Sequence, residues 1–204
     1  MIDLEAYNYT LPSDLIRNRG VEPRDNARLF VYDTASDTVT HARFFELAKF
    51  LPEHSLMVLN NTKVVPARLH LKKETGGKIE VFVLANEMKE GQEEIPVLVD
   101  RKCEPGWKLY FPNGDFFEVI RQEENIFFLI LRSKGSLNEM LELYGETPIP
   151  HYLEDKAQQE SQLRERYQTV FAHEGASVAA PTASLHLTDR VFQALDAKHI
   201  ERTE

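Results

Sequence analysis

Between residues 67 and 131 the chain breaks into six short runs of strand character, at 69–73, 78–84, 94–99, 108–111, 116–121 and 126–131. No other feature limits the fold as much. Ile79, Val81 and Val83 alternate with Lys78, Glu80 and Phe82, the period of a strand with one buried face. Asn113-Gly114 carries a hairpin signal between two runs, and Thr75-Gly76-Gly77 can turn the chain between two others. Strands this short must pair with their neighbours, and their edges need closing or covering. The expectation is a small antiparallel β-barrel or compact sheet.

The flanking sequence is patterned differently. Leu11-Pro12-Ser13-Asp14 reads as a short helix start, 22–28 as a charged loop feeding a strand at 29–32, 33–38 as a turn and 44–50 as a short helix. Residues 55–59 read as a buried strand that ends at Asn60-Asn61-Thr62-Lys63. The clearest helix follows Gly135: Ser136 and Glu139 form a capping box, Leu137, Met140, Leu141 and Tyr144 share one face, and Gly145 supplies the stop. Residues 154–166 are polar, a surface helix or a connection.

The small-residue run Gly175-Ala176-Ser177-Val178-Ala179-Ala180 has the look of a buried strand or close-packed turn, interrupted by Pro181. Thr182, Ser184 and His186 then precede Thr188, the expected N-cap of a helix at 189–198 that buries Val191, Phe192 and Leu195. Strand, polar loop and helix start in that order bring donors and a partial positive charge to the mouth of an α/β unit, where ligands tend to sit. The fold class is therefore α+β or α/β. Residues 1–66 and 146–204 would form an α/β barrel-like domain, incomplete at its C-terminus because another strand should follow, and 67–145 an inserted antiparallel β-barrel domain.

Composition narrows the function. A content of 42% apolar and 10% aromatic residues can bury a real core. Cys103 is the sole cysteine, which rules out an internal disulfide and suits a reducing compartment. No apolar run nears the roughly 18 residues of a membrane span, so the expected location is cytoplasmic, away from membranes. The net charge of −9 argues against coating nucleic acid by bulk electrostatics. Residues 60–78 are the exception: Lys63, Arg68, Lys72, Lys73 and Lys78 oppose only Glu74, a local +4 that leaves −13 on the remainder. Such a patch suits an enzyme that docks RNA at one place, or is a solvated strand edge decorated with lysines. Neither a G-x-x-x-x-G-K-[ST] nor a G-x-G-x-x-G motif occurs, which argues against an ordinary nucleotide triphosphatase, a dinucleotide oxidoreductase and a Rossmann-type methyltransferase.

Tyr167-Gln168-Thr169-Val170, followed by Ala179-Ala180-Pro181-Thr182-Ala183 and Leu185-His186, resembles the signature of the S-adenosylmethionine:tRNA ribosyltransferase-isomerases of queuosine biosynthesis. Glu22-Pro23-Arg24-Asp25-Asn26-Ala27-Arg28, Lys73-Glu74-Thr75-Gly76-Gly77-Lys78 and Gly145-Glu146-Thr147-Pro148-Ile149-Pro150 are similar to further blocks of that family. The segment from Asn60 to Arg68 is another, with Asn61 where the family has aspartate; Ser184 and Leu187 stand where it has glycine and usually phenylalanine.

The resemblance implies transfer and isomerisation of the ribosyl group of S-adenosylmethionine, a co-substrate, onto 7-aminomethyl-7-deazaguanine in tRNA. Epoxyqueuosine-tRNA, adenine and methionine would be the products. It implies no metal and a monomer whose partner is that tRNA. His186 is the candidate for proton transfer, since an imidazole titrates near ~6.5. Thr182 and Ser184 are candidates for ribose or adenine edges, and Arg24 with Asp25 for the charged ends of the methionine moiety. Asn60, Lys63, Arg68, Lys73, Glu74, Thr75, Gly76, Gly77, Tyr167, Gln168, Thr169 and Pro181 complete the expected substrate-binding set. The alternative is a catalytically silent fragment or relative that binds structured RNA; a third is an interaction fragment whose polar loops are only caps and turns.

Overall fold

The computed structural model describes residues 4–17, 20–89, 91–149 and 159–204. Its largest element is an antiparallel sheet built from the runs the sequence marks: β5 (Arg68–Lys73), β6 (Lys78–Val83), β7 (Ile95–Val99), β8 (Lys108–Tyr110), β9 (Phe116–Glu123) and β10 (Ile126–Arg132). With the short β11 (Gly145–Glu146) the order is β11-β5-β6-β7-β10-β9-β8, and a further β5–β8 pairing, Lys72 opposite Tyr110, joins the two sides of the sheet. Alternation sets the inner face. Ile79, Val81 and Val83 are buried between exposed Lys78 and half-buried Glu80 and Phe82. The turns follow their chemistry: Gly76 and Gly114 have φ of 83° and 92°, the left-handed region that glycine enters without a Cβ penalty.

α1 (Leu137–Tyr144) packs on this sheet through Met140 and Leu141. Its capping box is present, with the Ser136 hydroxyl accepting from the Glu139 N–H and the Glu139 carboxylate accepting from the Ser136 N–H. Gly145 ends the helix for a different reason from the one expected. Its φ is −82°, an extended value, but a Cβ there would lie 2.0 Å from the Pro66 carbonyl oxygen. Close approach of β11 to the chain before β5 demands the glycine.

Outside the sheet lie β1 (Arg28–Asp33) and β2 (Thr38–Arg43), an antiparallel hairpin of which the sequence signalled only the first strand and the turn. β3 (Leu56–Val58) and β4 (Thr62–Val64) each take a parallel partner from the end of the chain: β4 pairs with β12 (Glu174–Ser177), and β3 with β13 (Glu201–Thr203). β13 follows directly after α3 (Asp189–Asp196). The helix over 44–50 is a 3-10 turn. Of the polar stretch 154–166, residues 160–166 form α2 (Glu160–Arg166) with Gln159 as its N-cap, and 154–158 lie outside the described residues, as does the end of the Gly145–Tyr152 segment.

Two expected burials fail. Leu56 and Val58 on β3 are 58% and 73% exposed, and the run 175–180 is half-buried at best. The apolar mass gathers instead in two clusters. The first fills the sheet and includes Leu71, Val97, Phe117 and Leu129; the second joins Ala48, Leu59 and Ile200 to Leu187, Val191, Phe192 and Leu195 around α3. The segment from β12 to α3 runs from one to the other, since Val178 packs on the first and Leu187 is buried in the second.

Candidate active site

The loop that crosses between the cores, Pro181 to Thr188, is held by the Arg24–Asn26 turn docked against it. Asp25 is the anchor. Its side chain is 2% exposed and accepts from Thr188 Oγ1 at 2.7 Å, Arg190 Nε at 2.9 Å and Arg190 Nη2 at 2.8 Å. Burial pushes the Asp25 carboxyl up, but the hydrogen bonds and charge of Arg190 and the Thr188 hydroxyl outweigh it and hold the group below its ordinary value. Arg190 stacks on Phe45 at 4.4 Å, which fixes its fork toward the carboxylate. Thr188 does occupy the N-cap position of α3, yet its hydroxyl serves Asp25 and makes no cap bond.

Arg24 is equally committed. Its two terminal nitrogens donate to the carbonyls of Gln168, at 2.7 Å, and Glu165, at 2.8 Å, in and just beyond the last turn of α2. Arg24 and Asp25, expected at the charged ends of a ligand, are thus both engaged in contacts within the protein. Gln168 is pinned on its other side as well: its amide accepts from the Val64 N–H at 3.0 Å and donates to the Val64 carbonyl at 2.6 Å, standing in for a strand residue beside β4. A peptide-like amide in register is what a strand edge can pair with.

His186 completes the arrangement. Its Nδ1 lies 3.1 Å from the Arg24 carbonyl, and its ring packs on Phe44 at 5.1 Å. A carbonyl oxygen only accepts, so Nδ1 carries the proton and, in the neutral ring, Nε2 keeps its lone pair. Among the described residues Nε2 has no hydrogen-bond partner. The half-buried imidazole is thus oriented through one nitrogen and available through the other. Thr182 is exposed and Ser184 and Pro181 half-buried on the same turn, where backbone bonds from Ser184 N to Pro181 O and Leu187 N to Ser184 O set the curve. Ser184 does not have positive φ, so this position makes no conformational demand for glycine.

The remaining residues of the expected set fall in three places. Tyr167 closes α2, and Thr169 behind it is buried, its hydroxyl without a hydrogen-bond partner among the described residues. Lys63 is exposed on β4, while Asn60 accepts from Thr62 N and Oγ1 and so caps its own turn. Asn61 donates to Glu204 at 3.3 Å, a contact in which an aspartate would bring two carboxylates together. Arg68 lies at the start of β5 against Glu80, with Nε 3.6 Å from the carboxylate, and reaches the Ile149 carbonyl. Lys73, Glu74, Thr75, Gly76 and Gly77 form the β5–β6 turn at the opposite end of β5, roughly 16 Å along the strand from Arg68. There Lys73 donates to the Lys102 carbonyl and lies over Trp107. The basic run 60–78 is accordingly two regions. The roles of Phe44, Thr188 and Arg190 at this site are not legible in the sequence, because only long-range contacts create them.

A family model described as queuosine biosynthesis protein matches residues 4–204. The chain belongs to the queuosine biosynthesis protein family. Among similar relatives, the S-adenosylmethionine:tRNA ribosyltransferase-isomerase of Cytophaga hutchinsonii is 38% identical over 205 residues, covering 97% of this chain and 58% of the relative. That of Thermus thermophilus is 41% identical over 210 residues, covering 98% and 59%. Among solved structures, the S-adenosylmethionine tRNA ribosyltransferase of Thermotoga maritima is 23% identical with a TM-score of 0.37, over 97% of this chain and 56% of that one. The chain thus spans under three-fifths of the length of these curated relatives. No helix among its described residues is long and apolar enough to cross a membrane.

Proposed function

We propose that this chain carries the proton-transfer site of an S-adenosylmethionine:tRNA ribosyltransferase-isomerase, with His186 as the base. The supporting observation is the orientation of His186: Nδ1 is spent on the Arg24 carbonyl, and Nε2 is left as an acceptor on a loop rich in hydroxyls. The sulfonium of S-adenosylmethionine acidifies the adjacent ribose methylene, so a fixed imidazole lone pair can take a proton there. Thr182 and Ser184 supply hydroxyls for ribose or adenine, and Arg24, Asp25 and Gln168 act as positioning residues that hold the loop. The tRNA carrying 7-aminomethyl-7-deazaguanine is the acceptor; adenine leaves the ribose, the amine attacks the sugar in its place, and methionine leaves as the epoxide closes. In this reading the chain works as a cytoplasmic monomer with two domains, 1–66 with 146–204 and 67–145, each built on one of the two apolar clusters.

Adenine release from S-adenosylmethionine in the presence of the precursor tRNA tests the proposal, measured on this chain and on one extended to the relatives' length. Whichever chain is active should lose roughly 10²–10⁴-fold in turnover on His186→Gln, which keeps a hydrogen-bonding amide but no base. Full turnover in that variant removes His186 from the role.

A further inference from the structure

On the outer face of the sheet the strand registers set five side chains in one row. Lys78 stands opposite Lys72, Lys72 opposite Tyr110, Tyr110 opposite Phe116 and Phe116 opposite Arg132, across β6, β5, β8, β9 and β10. The next residues along these strands, Leu71, Ile79, Leu109 and Phe117, are buried in the core, so the row points outward. At ~4.8 Å per strand it spans roughly 19 Å.

The row is unusual in its chemistry. Lys72 and Lys78 are exposed, directly paired like charges, and among the described residues neither has an ion-pair partner. Like charges opposite one another destabilise a sheet. A neighbouring anion would relieve that repulsion. Beside them the Tyr110 and Phe116 rings, both half-buried, tilt against each other at 5.5 Å, with the Lys108 ammonium 5.2 Å from the Phe116 centroid. Arg132, held to Glu118, closes the far end. Unpaired cations beside an aromatic pair on an open sheet match a ligand of alternating phosphates and flat rings. A duplex would offer its phosphates and hide its bases.

We propose that the row Lys78–Lys72–Tyr110–Phe116–Arg132 is a docking surface for unpaired nucleotides of RNA, phosphates at the lysines and bases on Tyr110 and Phe116. It rests on the reading that the substrate is a tRNA, and it assigns that RNA a second contact region apart from His186.

Fluorescence anisotropy with a labelled oligouridylate and an RNA duplex of equal length, across a salt series, tests it on the whole chain. The oligouridylate should bind more tightly than the duplex. Lys72→Gln with Lys78→Gln should weaken it about tenfold and take about 1.4 off the slope of log affinity against log salt. Tyr110→Ala and Phe116→Ala should each weaken it about tenfold with the slope unchanged. Lys72→Gln should also raise the melting temperature by about 1 °C, which shows that the fold is kept. Unchanged binding in the variants, equal binding of the duplex, or no binding of oligouridylate by the unaltered chain each overturn the proposal. Adenine release separates the two readings. Row-dependent binding without adenine release removes only the enzymatic reading, whereas adenine release with an unchanged KM for tRNA in the row variants removes only this one.

Discussion

Asp25 shows how much one residue can be asked to do at this site. The carboxylate has almost no access to water, and its three hydrogen bonds join the Arg24 turn to the start of α3. Arg190, at 53% exposed, is partly screened by solvent, so the pair is worth less than a fully buried one. Asp25→Asn should cost about 2 kcal/mol near pH 7, measured by urea unfolding. The pH dependence has a definite sign: the folded carboxyl lies below its ordinary value, so its contribution is full above the unfolded value of about 3.9 and is lost as pH falls through the lower, folded one. The asparagine variant should lose less stability than the parent over that acid range, and identical acid curves would show that Asp25 is not the group responsible. Of this arrangement the sequence disclosed some members and none of the pairing. Arg24, Asp25, Gln168 and His186 belong to blocks of family resemblance, but that Arg24 spends itself on carbonyls is a fact of tertiary contact between residues about 140 apart in the chain.

Among the elements, those with local signals were readable and those made by pairing alone were not. Alternation and turn glycines located the sheet strands to within a residue or two, and Ser136 with Glu139 located α1, because each signal acts within a few residues. β4, β11 and β13, at two or three residues each, have no period to detect and exist only through their partners. Gly145 illustrates the same limit. Its place after a helix suggested only a stop, whereas the structure requires room for Pro66. Two alanine substitutions distinguish these demands. Gly76→Ala meets nothing within 4 Å but has φ of 83°, and should cost about 1 kcal/mol. Gly145→Ala has ordinary φ and a 2.0 Å clash with backbone, and should cost about 3 kcal/mol, at the upper end for overpacking. Thermal unfolding that ranked the two the other way round would refute the close-approach account.

In the molecule as a whole, the loop bearing His186 depends on both cores and the aromatic row on one. Val178, before the loop, packs on the sheet cluster; Leu187, after it, is buried in the α3 cluster, where Phe44 also supports the His186 ring. Leu195 and Leu129 are both fully buried, one in each cluster. Truncating either to alanine should cost about 3–5 kcal/mol in the structure around it, the usual result of leaving a cavity. The consequences should then diverge. Leu195→Ala loosens α3 and with it the Thr188 and Arg190 partners of Asp25, so hydrogen exchange should rise at residues 182–196 while the amides of β5, β8 and β9 stay protected and oligouridylate binding is kept. Leu129→Ala should raise exchange in β9 and β10, weaken binding at the Tyr110–Phe116 row, and reach the loop only through Val178. If Leu195→Ala instead deprotected the sheet as strongly as α3, the two clusters would be one cooperative unit, and the division of the chain at residues 66 and 146 would have no thermodynamic meaning.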